Sequence, residues 1–306
     1  MPDMNAIAKD TSPAFTFSEE HLFGETYADY LALVAHYYDL DITINTNVSR
    51  VTHENGVYKI ITNNDTYTAD YILVATGDFS FPYQPFNYGH HYSEVDDFTQ
   101  LKGNDLTIIG GNESAFDAAI HLSKDGANVS IYTTSTGLNE AYADPSKHLS
   151  PFTHRRLHDA VRQGAHIEMN VVYRAKQILF HEGEYYIHFE NGYTATSLSE
   201  PIIATSFDVT QNPLIQQLFK IRHQGVQLTE LDESTRYPNI FLIGATVCHD
   251  EAILCYIYKF RARFAVLASI LRSREGLPEK SALIETYKKS NMFLDDYSCC
   301  EVDCTC

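Results

Sequence analysis

The chain has 306 residues, with 22 Lys and Arg against 40 Asp and Glu, which leaves a formal charge of −18. At roughly 150 residues per domain this length suggests about two domains, each large enough to bury a core of its own. So large a negative charge repels phosphate backbones and anionic headgroups, and no basic patch offsets it, so nucleic acid and membrane surfaces are excluded as partners. The first twenty residues carry Asp3, Lys9, Asp10, Glu19 and Glu20 and no long apolar run, unlike a secretory signal. The most span-like stretch, Ala252 to Leu271, holds Lys259, Arg261 and Arg263. Each such charge costs about 2.5–3.5 kcal/mol at a bilayer centre, so this stretch reads as a helix in water. The expected compartment is the cytoplasm. The six cysteines fit that reading, because they form no dispersed disulfide framework: Cys248 and Cys255 stand apart, while Cys299, Cys300, Cys304 and Cys306 crowd the end.

In chain order, Gly24 to Leu40 places Tyr27, Tyr30, Leu31, Val34, Tyr37 and Tyr38 at helical spacings and is expected to bury one face. Ile42 to Val51, Val57 to Thr62 and Thr66 to Val74 follow as strands, separated by Glu54-Asn55-Gly56 and Asn63-Asn64-Asp65, which are turn signals. The third run leads into Ala75-Thr76-Gly77, an apolar strand that breaks at a glycine. Phe79 to Gly103 shows no sustained period and reads as a connector. Then Leu106 to Ile109 is a short buried strand, Gly110-Gly111 a tight turn, Glu113 to Lys124 an amphipathic helix and Asn128 to Thr133 a second strand. Together they make a βαβ unit. Thr153 to Gln163 reads as a helix, and Ala165 to Met169, Ala175 to Phe180, Tyr185 to Phe189 and Pro201 to Ala204 read as strands. Ile240 to Gly244 is a strand ending in glycine, and Glu251 to Arg274 is expected to be the longest helix.

Gly110-Gly111-Asn112-Glu113-Ser114-Ala115 fits G-x-G-x-x-[G/A] at its first and last positions, with Asn112 where the second glycine belongs. A dinucleotide needs the first glycine for the turn, the second for close backbone approach to the pyrophosphate, and a small third residue for helix–sheet packing. The N-terminal N–H groups of the helix would then face the phosphates. Asn112 enters left-handed backbone space more readily than most residues, so the turn is expected to survive there. A crossover without a ligand is the alternative reading of the same residues. About 20 residues on, where an NAD site carries an acid for the ribose, this chain has Thr133-Thr134-Ser135. No carboxylate there repels a 2′-phosphate, and Arg155 and Arg156 could supply its positive partner, the alternative being a solvated face. The reading therefore leans to NADP over NAD.

Four segments, Ala75-Thr76-Gly77-Asp78-Phe79-Ser80-Phe81-Pro82, the run from Gly110, Ala204-Thr205-Ser206-Phe207-Asp208 and Pro238 to Thr246, resemble bacterial flavin-containing monooxygenase-like proteins. These are two-dinucleotide-binding-domain flavoproteins with the pyridine nucleotide-disulfide oxidoreductase fold. The resemblance spans essentially the whole sequence. It implies an α/β class and a two-domain Rossmann-like fold binding FAD and NAD(P). Residues 1–100 and 205–290 would form a split FAD domain, 103–204 an inserted NAD(P) domain, and 291–306 a cysteine-rich tail. It further implies that Thr76-Gly77 and Thr205-Ser206 mark the two crossings between domains. Gly244-Ala245-Thr246 would lie beside the flavin, with a helix N-terminus after it directed at the pyrimidine edge, and Val48 would hold the adenine of FAD through backbone bonds.

This sequence departs from that pattern in several places. The family opens on a strand and a G-x-G-x-x-G turn, so the first FAD-binding βαβ unit is expected to be missing here. Ser206 replaces a crossing glycine, and Ala245 stands where reductase relatives carry an aspartate. Phe86 to Ser93 is only a degenerate form of the F-x-G-x-x-x-H signature.

The tail Cys299-Cys300-Glu301-Val302-Asp303-Cys304-Thr305-Cys306 leaves three readings open: soft-metal binding, thiol exchange with a flavin, or an inert terminus. Cys248 and Cys255 are expected to be buried packing thiols, since no C-x-x-C occurs. His154 and His158 sit at i, i+4 spacing but lack an H-E-x-x-H carboxylate, and no metal site is assigned. No G-x-S-x-G elbow supports a hydrolase.

The function expected from the resemblance is an FAD-dependent, NADPH-using oxidoreductase that oxygenates a small soft nucleophile such as an amine or sulfide. Possible self-association as a homodimer belongs to the same expectation. The alternatives are a thiol, disulfide or metal-ion reductase working through Cys299-Cys300, and an inactive nucleotide-binding fragment. No side chain is assigned as a catalytic acid or base.

Overall fold

A computed structural model describes residues 3–101, 103–124, 126–134, 138, 145–222, 225–249 and 252–297. The chain divides into two compact units, one made of the residues up to Gly77 and from Val209 on, the other of Asp78–Asp208.

The first unit opens on α1 (Pro13–Phe17), capped by Ser12 with proline at its first turn. Next comes α2 (Gly24–Tyr37), whose inward residue Tyr30 receives the Ile7 N–H at 2.8 Å. The expected apolar face of α2 is only partly covered. Tyr30 alone is buried, while Leu31, Leu33 and Tyr37 are exposed. A meander follows: β1 (Val48–Glu54), β2 (Val57–Thr62) and β3 (Thr66–Ala69). Asn55 and Gly56 both take positive φ between the paired residues Glu54 and Val57, as a two-residue hairpin requires. The strand expected from Ile42 starts only at Val48. Its partner β2 ends at Thr62, opposite Val48, so Ile42 and Ile44 lie outside the ladder and stay exposed. The run expected from Thr66 to Val74 breaks after Ala69, and β4 (Ile72–Val74) joins a different sheet.

The second unit holds β5 (His90–His91) and β6 (Asp105–Ile109), then α3 (Glu113–Ser123), β7 (Asn128–Thr133), α4 (Pro151–Arg162) and β8 (His166–Val171). A meander of β9 (Ala175–His181), β10 (Glu184–Phe189) and β11 (Thr194–Ser197) precedes β12 (Ile202–Ile203). The main sheet is parallel in the order β5-β12-β6-β7-β8. Parallel strands need both faces covered. Ala115, Phe116, Ala119 and Leu122 of α3 bury one face with Ile108, Val129 and Ile131. On the other face Ile109, Tyr132 and Ile203 pack with Ile178, Ile187 and Phe189 of the meander. β5 lies inside the stretch expected to be a connector; two residues are too short to show a period.

The chain returns to the first unit through α5 (Pro213–Leu218), the hairpin β13 (Lys220–Arg222) with β14 (Gly225–Gln227), and β15 (Ile240–Leu242). β15 pairs parallel with β4. The Gln217 side-chain amide bonds both the N–H and the carbonyl of Val51, tying α5 to β1. The long helix expected from Glu251 to Arg274 is instead a hairpin of β16 (Cys248–His249) and β17 (Ala252–Ile253), a short α6 (Ile257–Phe260), a 3-10 turn and α7 (Phe264–Arg274). Val247 and Leu254, joined by a backbone bond, are both buried and anchor this hairpin to the core, which outweighs helical periodicity. The last helix is α8 (Ser281–Lys289). No helix of the described residues is long and apolar enough to cross a membrane.

Candidate functional site

In the second unit, β6 has β7 on one side and β12 on the other, so the strand order reverses at β6. In open parallel sheets a ligand crevice forms at such a switch point, outside the carboxyl ends of the strands. Gly110 stands there. Its φ is +139°, its N–H bonds the Tyr132 carbonyl at 3.0 Å, and a Cβ at this position would lie 2.1 Å from the Ala204 carbonyl oxygen. Only glycine fits. Gly111 and Ala115 are buried under the turn, and Ser114 lies in the first turn of α3.

Asn112 does not take the left-handed backbone expected of it. As N-cap of α3 it is extended, at φ −118° and ψ −161°, because the positive φ of the turn is borne by Gly110. Its side chain makes no capping bond. The N-terminus of α3 is thus a set of amide donors without a side-chain cap, an arrangement that fits a phosphate. Glu113, whose charge would oppose a phosphate, is drawn aside. Its carboxylate accepts the Ser150 N–H and the Thr153 hydroxyl, the latter at 2.5 Å, and so holds the start of α4.

Thr133 ends β7 and is buried, Thr134 follows it and is exposed, and Ser135 lies outside the described residues. Arg156 is engaged elsewhere: its guanidinium donates to Asp117 Oδ1 at 2.5 Å, while Tyr92 donates to Asp117 Oδ2 at 2.8 Å. Arg155 is exposed on α4. Beside the turn, burial and then Tyr193 push the Tyr132 phenol up to about 12.

The segments expected as crossings pair with each other. Pro82 bridges Phe207 antiparallel, the Asp208 N–H reaches the Phe81 carbonyl at 2.7 Å, and the Thr205 hydroxyl donates to the Tyr83 carbonyl at 2.7 Å. Ser206 takes φ 75°, the backbone a glycine adopts without cost, and its carbonyl receives the Tyr83 N–H and lies 2.9 Å from Nε2 of buried His91. His91 was missed in the sequence because nothing marks one histidine of an adjacent pair as interior.

In the first unit, parallel β4 and β15 bring Ala75-Thr76-Gly77 and Gly244-Ala245-Thr246 to neighbouring carboxyl ends, with the Ile243 N–H on the Val74 carbonyl at 2.9 Å. Space is open beside both Gly77 and Gly244. The Thr76 hydroxyl accepts from the Asn212 side chain at 3.0 Å. Val48 begins β1 opposite Thr62. Burial pushes the carboxyl of Asp78, directly after Gly77, above its usual range. The helix expected right after Thr246 is replaced by the β16–β17 hairpin, and Cys248 on it and Cys255 just after it are exposed rather than buried, because Val247 and Leu254 take the inward positions. No second strand, glycine turn and helix of the kind around Gly110 occurs among the described residues of this unit. Cys299, Cys300, Cys304 and Cys306 lie outside the described residues, and no described group of three or more His, Cys, Asp or Glu could hold a metal.

The model of the family described as pyridine nucleotide-disulphide oxidoreductase matches residues 1–244, and the chain belongs to that family. Its cofactors are accordingly FAD and a pyridine nucleotide, and the uncapped turn at Gly110 and the paired strand ends at Gly77 and Gly244 suit them. Among individual proteins, it is 35% identical over 106 residues to an uncharacterized CzcO-like oxidoreductase of Geobacillus kaustophilus, covering 32% of this chain and 30% of that protein. It is 29% identical over 100 residues to trimethylamine monooxygenase of Pelagibacter ubique, covering 28% and 23%. The matched stretch is thus under a third of either relative's length. Among solved structures, bacillithiol disulfide reductase Bdr (YpdA) from Staphylococcus aureus superposes with a TM-score of 0.69 at 20% identity, over 89% of this chain and 83% of that one. That likeness shows the fold.

Proposed function

We propose that the chain is an FAD-dependent, NADPH-using oxidoreductase of the monooxygenase-like kind, acting on a small soft nucleophile in the cytoplasm, with a homodimer as its possible assembly. The observation that carries this reading is the Gly110 turn at the switch point, open to a phosphate and followed by Thr133-Thr134 where an NAD site would place an acid. In it, residues 103–204 hold NADPH and residues 1–100 with 205–290 hold FAD. Gly110 to Ala115 bind the pyrophosphate through backbone N–H groups. Thr133, Thr134, Ser135 and Arg155 receive the 2′-phosphate, Thr134 being exposed and Asp117 turned away to Arg156. Ala75 to Gly77 and Gly244 to Thr246 line the flavin, Thr205-Ser206 pins the crossing, and Val48 faces the adenine of FAD. When bound, flavin supplies hydride acceptance and oxygen activation; the protein contributes orientation and water exclusion.

The exposure of Cys248 and Cys255 favours a second reading, a thiol or disulfide reductase in which electrons leave through cysteines, the tail pair Cys299-Cys300 among them. The quadruple variant Cys248→Ser, Cys255→Ser, Cys299→Ser and Cys300→Ser separates the two. NADPH-driven oxygen consumption stays at the wild-type rate under the leading reading, whereas collapse of all turnover makes the reductase correct.

A further inference from the structure

Helix α7 turns Val266 and Leu267 into the core of the first unit, while Ala265, Ala268 and Arg272, a stripe at helical spacing, face a cavity of about 420 Å³. Leu283, Ile284 and Tyr287 of α8 form its opposite wall. None of the side chains of α8 is buried, and Leu283 stays 48% exposed. The two helices thus flank a space instead of closing on each other. Its volume lies in the range of small-molecule sites, roughly 300–1,000 Å³.

The two ends of this cavity differ in chemistry. The chain reverses between α7 and α8, so Arg272 and Lys280 stand at the end beside the connection, and Ala265 and Tyr287 at the other. The chain holds 22 basic residues against 40 acidic ones, yet neither Arg272 nor Lys280 makes an ion pair among the described residues. Nη2 of Arg272 donates to the Pro278 carbonyl at 2.8 Å, while its Nε is buried and has no acceptor. Glu279, the acid of the lining, accepts the Ser281 hydroxyl at 2.8 Å, and α8 begins without a side-chain cap, so its first amides add to the positive end. A buried guanidinium nitrogen without an acceptor is rare enough in folded proteins to call for one.

We infer that the cavity between α7 and α8 binds a monocarboxylate with an aliphatic body, its carboxylate received by Arg272 and Lys280 and its hydrocarbon laid between Ala268 and Ile284. A carboxylate supplies the acceptor that the guanidinium lacks, and its chain covers the exposed methyls of Leu283. A net charge of −18 repels anions from most of the surface, so an anion held here is held by these local cations. The site needs neither flavin nor nucleotide and stands apart from the reading of the Gly110 turn.

The test is calorimetric titration of the full chain with octanoate, kept below its micelle concentration, and with octanol as the uncharged comparison. Wild type binds octanoate, and octanol at least about tenfold more weakly. Arg272→Gln lowers the affinity for octanoate about tenfold and leaves that for octanol unchanged. Ala268→Phe, at an exposed position that folding does not depend on, fills the space and weakens both ligands at least about tenfold. A wild-type chain that takes up no octanoate overturns the inference, as does equal affinity for the acid and the alcohol. Wild-type affinity for octanoate in Ala268→Phe puts the acid elsewhere and overturns it too.

Discussion

The sharpest constraint in the molecule is one missing methyl. A Cβ on Gly110 would meet the Ala204 carbonyl oxygen at 2.1 Å and the Ala204 carbonyl carbon at 2.8 Å, on a backbone held at φ +139°. Neither is a side chain that can swing away. Gly110→Ala therefore costs at least about 2 kcal/mol of stability, by forcing β6 and β12 apart and straining the turn. Urea unfolding followed by circular dichroism measures this; a loss below about 0.5 kcal/mol contradicts the crowding. This glycine was legible because a strand, a glycine pair and a helix followed one another within a short stretch. The conformation of Asn112 was not, since sequence gives no means of telling which residue of a turn carries the positive φ. Arg156 was equally opaque: its partner Asp117 comes from a different helix, and only packing of α3 on α4 brings them together.

At the scale of elements, the segment after β15 shows how tertiary contacts override periodicity. Its residues alternate well enough for a helix, yet β16 and β17 form a hairpin whose His249 reaches inward. Nε2 of His249 lies 2.6 Å from Oδ1 of Asp232, which has no exposed surface. Arg263 Nε donates to Oδ2 of the same carboxylate at 2.7 Å, and the Tyr297 hydroxyl donates to Oδ1 at 3.0 Å. The Arg263 guanidinium also reaches the Leu294 carbonyl and lies over the Tyr297 ring. One buried carboxylate thus joins the hairpin, the start of α7 and the stretch before the cysteine tail. Removing it strands a buried guanidinium, so Asp232→Ala costs about 3–5 kcal/mol. Denaturant midpoints of this variant and wild type test that value; a change under about 1 kcal/mol means the network does not hold these elements. The sequence reading treated Arg261 and Arg263 as helix charges in water, whereas both are buried. Nothing local distinguishes an arginine that will find a carboxylate 31 positions away.

For the whole molecule, the α/β class and the existence of two glycine-ended strands, at Gly77 and Gly244, were visible in advance. Apolar runs such as Ile240 to Leu242 and Leu106 to Ile109 are too short and too continuous to be anything but buried strands. Which strands share a sheet was less accessible. β4 lies next to β3 in sequence but pairs with β15, and the exposed Ile42 and Ile44 show apolar patterning that the described ladders do not use. In the proposed reaction, hydride passes from NADPH to a flavin. Its most direct test is anaerobic mixing of NADPH with the purified chain after incubation with FAD, followed by flavin absorbance. The expected result is that the protein takes up FAD and that its yellow absorbance bleaches on mixing, at a rate that falls at least about a hundredfold in Gly110→Ala. A chain that takes up no FAD, or flavin that stays oxidised in the presence of NADPH, contradicts it.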